Sequence, residues 1–141
     1  MYNVLIVEDH DRLREQLGQF YEQEGFHVTT ASCGEEGIQK LTEDSFAIVV
    51  SDVKMPGMDG FQVARHVREK YPETDVILIT AFGNIKQAVE AMKLGASDYI
   101  TKPFKIDEVR INIANALRSR NLEVENRTLK KELNKEYSFQ N

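Results

Sequence analysis

The sequence has no tryptophan, one cysteine, three prolines and no apolar run longer than a few residues. A lone Cys33 excludes an intramolecular disulfide and any zinc site built from several cysteines. The longest aliphatic runs, Val4–Val7 and Val76–Ile79, fall far short of the roughly 20 apolar residues of a membrane helix. Charge follows at once after the first run (Glu8, Asp9, Asp11, Arg12), so no secretory leader is visible and a cytoplasmic location is expected. Neither G-x-G-x-x-G nor G-x-x-x-x-G-K-[ST] occurs, and His10, His27 and His66 lack metal-ligand spacing. What remains is a 141-residue chain with 41% hydrophobic and 29% charged residues, enough to build one buried core.

Charge is unevenly placed. Residues 118–141 carry six Lys/Arg and four Asp/Glu, a net of +2, so residues 1–117 carry −5 − 2 = −7. An acidic body argues against a nucleic-acid surface.

Short β-branched runs alternate with helical patterns. Strands are expected at 3–7, 27–31, 46–51, 75–80 and 97–101, several of them apolar without alternation, as in parallel strands buried on both faces. Helical spacing links Leu13, Leu17, Phe20 and Tyr21; Ile38 and Leu41; Phe61, Ala64 and Val67; Ile85, Ala88, Val89 and Met92; and Val109, Ile113, Ala116 and Leu117. Gly25 and Gly95 suit left-handed helix ends. Ser32 with Glu35 fits a capping box, and Asn84 with Gln87 a weaker one. Five such units give an α/β domain with a doubly wound, five-stranded parallel sheet.

Ligands in open α/β sheets bind outside the carboxyl ends of the strands. Glu8 and Asp9 follow the first strand, Asp52 follows the third, Thr80 ends the fourth and Lys102 follows the fifth. Three carboxylates in one crevice repel unless a cation joins them, and an all-oxygen site selects Mg²⁺ or Mn²⁺. A lysine and a hydroxyl opposite the acids could take phosphoryl oxygens, and a carboxylate can itself be the nucleophile. Taken singly, each residue could equally be a helix cap or a surface charge; the convergence of four strand ends is the informative feature.

These residues resemble the receiver domain of two-component response regulators. The resemblance is carried by Val4–Asp9, Asp52-Val53-Lys54-Met55-Pro56-Gly57-Met58-Asp59-Gly60, Ile79-Thr80-Ala81, Gly95–Tyr99 and Lys102-Pro103-Phe104. It implies strand order 2-1-3-4-5 and a receiver over 1–118. It implies Asp52 as phosphoacceptor, Asp9 as a direct Mg²⁺ ligand, Glu8 acting through water and the Lys54 carbonyl as a further ligand. Lys102 is implied to pair with a phosphoryl or acceptor oxygen, with a cis bond to Pro103. Thr80 and Tyr99 resemble the switch pair, and Phe82 lies where the family tunes access. Ala81, being small, leaves the phosphoryl position open. Gly57 and Gly60 are expected to let the loop after Asp52 turn tightly, and Met55, Pro56 and Met58 to wall the site or simply pack the loop. The implied partner is a sensor histidine kinase, and no independent substrate turnover is expected. Glu8 stands where aspartate is commoner, which keeps the charge.

No Gly or Pro interrupts 107–136, so a helix of ~30 residues would run ~45 Å, beyond a domain of ~13–14 Å gyration radius. Leu122, Asn126, Leu129 and Leu133 fit coiled-coil seam positions, with Asn126 setting the register. The alternative is a solvated linker helix. Glu125-Asn126, Leu129, Glu132-Leu133 and Tyr137–Asn141 also resemble the linker of nitrogen-regulation-type activators of sigma-54 polymerase. That resemblance makes 119–141 a helical linker in a homodimer, leading to AAA+ and DNA-binding domains beyond Asn141. Two other readings are a stand-alone scaffolding receiver and an aspartyl-nucleophile phosphatase, against which stands the lack of a second acid in Asp52-Val53-Lys54.

Overall fold

Val4, Leu5, Ile6 and Val7 have no solvent-exposed surface, so the first strand is covered on both sides, as its unbroken apolar run requires. In the computed structural model, which describes residues 2–80, 85–102, 107–111 and 113–115, the chain divides into two units, Met1–Phe104 and Lys105–Asn141. The first contains β1 (Asn3–Val7), α1 (Asp11–Gln23), β2 (His27–Ala31), α2 (Gly34–Glu43), β3 (Ile48–Asp52), α3 (Gly60–Lys70), β4 (Asp75–Thr80), α4 (Ile85–Lys93) and β5 (Asp98–Thr101). In the second, 107–111 and 113–115 are helical.

All strand pairs are parallel, in the order β2-β1-β3-β4-β5. On one face Leu5, Val7, Val49, Val76 and Leu78 pack with Leu41, Val63, Ala64 and Val67 of α2 and α3. Their neighbours Val4, Ile6, Ile48, Val50, Ile77 and Ile79 are equally buried, the two-residue alternation of a strand with both faces covered. On α1, Leu17 and Tyr21 are buried, and Tyr21 meets Phe20 and Phe26 edge-on.

β1, β2 and β4 have the expected bounds. β3 begins two residues later than expected and includes Asp52. Its pairing with β1 starts at Val4↔Ile48, while the Ala47 amide is already taken by the Asn3 carbonyl. β5 begins at Asp98, one residue later than expected, although the Ser97 amide already donates to the Val76 carbonyl of β4 at 2.7 Å. On α4 the expected apolar face is split: Val89 and Met92 are exposed and Ala91 is buried. Gly25 and Gly95 adopt left-handed φ of 95° and 93°. The α2 cap is displaced by one residue from Ser32: Cys33 is the N-cap, its sulfur accepting the Glu36 N–H at 3.5 Å. Ser32 bonds the Glu36 carboxylate through both its amide and its hydroxyl. α3 opens on an Asp59–Gln62 capping box. Asn84, Ala116 and Leu117 lie outside the described residues.

Candidate functional site

β1 and β3 are adjacent because the strand order reverses between them, and the crevice at their carboxyl ends collects the acids. Glu8 follows β1, its amide bonded to the Ala31 carbonyl at the end of β2. Asp52 is the last residue of β3 and Thr80 the last of β4. Lys102 follows β5, its amide held by the Thr80 carbonyl at 2.7 Å. Each side chain is thus fixed by sheet backbone.

Glu8 is 1% exposed, Asp52 7% and Thr80 1%. Asp9 is not buried. One carboxylate oxygen from each of Glu8, Asp9 and Asp52 lies within 4.8 Å of the others. Lys102 Nζ stands 3.4 Å from Asp52 Oδ2 and 3.6 Å from Glu8 Oε1. At the longer distance no hydrogen bond forms, and among the described residues Glu8 Oε1 has no hydrogen-bond partner. Burial, reinforced by the charge of Asp52 and opposed by Lys102, pushes the Glu8 carboxyl up to about 7. Arg14 adds an anchor: its Nη1 donates to the Glu8 carbonyl at 2.9 Å.

One lysine cannot neutralise three acids. A buried carboxylate oxygen without a hydrogen-bond partner, two more carboxylates within reach and oxygen ligands throughout fit a hard divalent cation. Glu8, Asp9 and Asp52 are the side chains that would hold it.

The loop after Asp52 is held at its base. The Gly60 amide donates to the Val53 carbonyl at 2.8 Å and the Val53 amide to Ile79 at 2.9 Å. Gly57 has φ 76°, a left-handed turn that favours glycine. Gly60 has no positive φ; its lack of a side chain is required instead by closeness to the Asp52 and Val53 backbone. Met55 is buried, Met58 packs partly buried against the core, and Pro56 is exposed. A cleft of about 340 Å³ beside this loop is lined by Lys54, Met55, Phe61, Thr80 and Gln87 among others.

Tyr99, on β5, is half-buried, and its hydroxyl donates to Gln87 Oε1 of α4 at 3.1 Å. That link was not legible, since Gln87 reads only as a cap partner in sequence. His10 is exposed and makes no capping bond. Ala81, Phe82, Pro103, Phe104, Leu122, Asn126, Leu129 and Leu133 lie outside the described residues. Among those described, no helix is long and apolar enough to cross a membrane.

The family model for the response regulator receiver domain matches residues 4–132. The chain is 38% identical over 123 residues to the uncharacterized transcriptional regulatory protein YkoG of Bacillus subtilis, covering 87% of this chain and 54% of that protein. It therefore spans about half the length of that relative. Among solved structures it is similar to a receiver domain protein from Clostridium thermocellum (TM-score 0.81, 31% identity, 86% of this chain and 98% of that one). It is also similar to NtrX from Brucella abortus in complex with ATP (TM-score 0.82, 28% identity, 88% of this chain and 28% of that one).

Proposed function

The chain belongs to the response regulator receiver domain family, and from that premise we propose that Asp52 accepts a phosphoryl group from a sensor histidine kinase. Receiver domains are regulatory modules of two-component systems, not turnover enzymes, and they use Mg²⁺. The observation that carries the proposal is the buried Asp52 carboxylate, within 4.8 Å of the Glu8 and Asp9 oxygens and 3.4 Å from the Lys102 ammonium. An Asp52 oxygen attacks phosphorus, the bond to the donor imidazole breaks and an acyl phosphate forms. Lys102 balances charge on the acceptor and the incoming oxygens. Asp9, Asp52 and the Lys54 carbonyl, with Glu8 acting through water, would hold the cation, which would supply charge neutralisation for the phosphoryl oxygens.

Thr80 and Tyr99 form the switch: Thr80 responds to the new charge, and the Tyr99 ring exchanges its bond to Gln87 for an inward position. Ala81 and Phe82 govern access. The output is a dimer interface supported by the 119–141 linker, in a cytoplasmic, sigma-54-dependent AAA+ activator. The linker resemblance and the likeness to NtrX, matched over only part of its chain, support that context.

Acetyl phosphate supplies the test. Intact-mass spectra should show one added phosphoryl group with Mg²⁺, absent with chelator and absent in Asp52→Asn. Equal labelling of that variant overturns the assignment.

A further inference from the structure

The loop carrying Lys54 is held at its tip by a helix remote in sequence. Glu35, in the first turn of α2, accepts the Met58 N–H on its Oε1 at 3.0 Å. Gly57, with its left-handed φ, presents the same face: a β-carbon there would meet Glu35 Oε1 at 2.8 Å. The adjoining Gly34 packs directly on Met58. The displaced α2 cap makes this possible, because Glu36 takes the Ser32 amide and hydroxyl and leaves Glu35 to reach across. Backbone amides, its own and that of Met58, hold the Glu35 carboxyl below the usual carboxylate range, so it accepts as a charged group.

The loop is therefore pinned at two points. At its base Gly60 closes onto Val53, and at its tip Glu35 closes onto Met58. Lys54, exposed and without a regular element of its own, lies between them.

We infer that Glu35 is a positioning residue for the acceptor loop, holding the Lys54 carbonyl ready for the cation that Asp52 chemistry uses. The inference rests on the receiver reading and extends it to a residue outside the acidic crevice. Glu35 touches no reacting atom; it acts through Met58. Its loss leaves the carboxylates in place but makes cation binding pay for ordering the loop.

The experiment compares wild type, Glu35→Gln and Glu35→Ala in the full chain. Mg²⁺ affinity is read by calorimetry, acetyl phosphate labelling at limiting and saturating Mg²⁺, and thermal midpoint without metal. The glutamine variant keeps an acceptor oxygen and should stay near wild type. The alanine variant should bind Mg²⁺ about tenfold more weakly. Its labelling should slow at limiting Mg²⁺ and recover at saturation. Equal Mg²⁺ affinity in wild type and Glu35→Ala overturns the inference while leaving the Asp52 assignment intact. Equal losses in both variants overturn it too, because the hydrogen-bond acceptor would then be irrelevant. A wild type that binds no Mg²⁺ overturns this inference and the receiver chemistry together.

Discussion

Gly60 approaches the Asp52 carbonyl so closely that no β-carbon fits between them. The first turn of α3 is thereby seated on the backbone of Asp52, and the neighbouring Val53 Cα, at 2.7 Å from the same hypothetical carbon, closes the other side. Both obstacles are backbone, which cannot rotate away.

Gly60→Ala should therefore destabilise the domain by about 1–3 kcal/mol, the range for forcing extra atoms into a packed site. The same change displaces Asp52, so acetyl phosphate labelling should fall as well. Urea unfolding and intact-mass labelling check the two effects; an unchanged unfolding midpoint would show that the backbone accommodates the methyl group.

Glu8 predicts a pH dependence. Below about 4.5 its carboxyl is protonated in folded and unfolded chains alike. Between about 4.5 and about 7 only the folded chain keeps the proton, so its contribution to stability falls as pH rises, and above that window the loss is complete. Urea midpoints of the metal-free protein should decline across this window relative to Glu8→Gln. Mg²⁺ affinity should rise over the same window, because the cation displaces the proton.

Lys102→Met keeps most of the apolar stem and removes the ammonium. Mg²⁺ binding should persist on the three carboxylates, while labelling should fall by about a hundredfold or more. Since Lys102 opposes the upward shift of Glu8, the variant should also move the pH window upward. Normal labelling and normal switching in this variant would show the lysine to be dispensable.

The tail carries a prediction about assembly. If residues 119–136 pair as parallel helices, Leu129→Ala/Leu133→Ala should shift the chain strongly toward monomer, since each buried leucine contributes roughly 1.5–3 kcal/mol. Truncation after Arg118 should act in the same direction. Sedimentation equilibrium on the three proteins decides it, and identical association constants would reduce the tail to a tether.

Much of the fold could be read from runs such as Val4–Val7 and Asp75–Thr80, whose β-branched apolar content admits few other placements. The acidic crevice was legible for the same reason: once the strands are located, Glu8, Asp52, Thr80 and Lys102 fall at one rim. What could not be read was settled by pairing between distant segments. Whether Phe46 and Ala47 belong to β3 depends on where β1 starts its ladder, and that register is absent from either segment alone. In the same way Ser32-Cys33-Gly34-Glu35-Glu36 offers two adjacent acids to a cap. The choice between them depends on Met58, a residue that local pattern does not connect to α2. The Asp59–Gln62 box is different: its spacing fits the capping rule and is plainly visible in the sequence.

The crevice is assembled from strand ends that leave the ribosome at different times. Glu8 and Asp9 emerge early, Asp52 only when β3 can pair with β1, and Lys102 last, after β5. A chain stalled before β5 carries the acids without the cation that faces them. Such non-local pairing forms late, when the loops between strands can close. The charge balance of the crevice is therefore complete only once β5 has joined β4 and set Lys102 against Glu8 and Asp52.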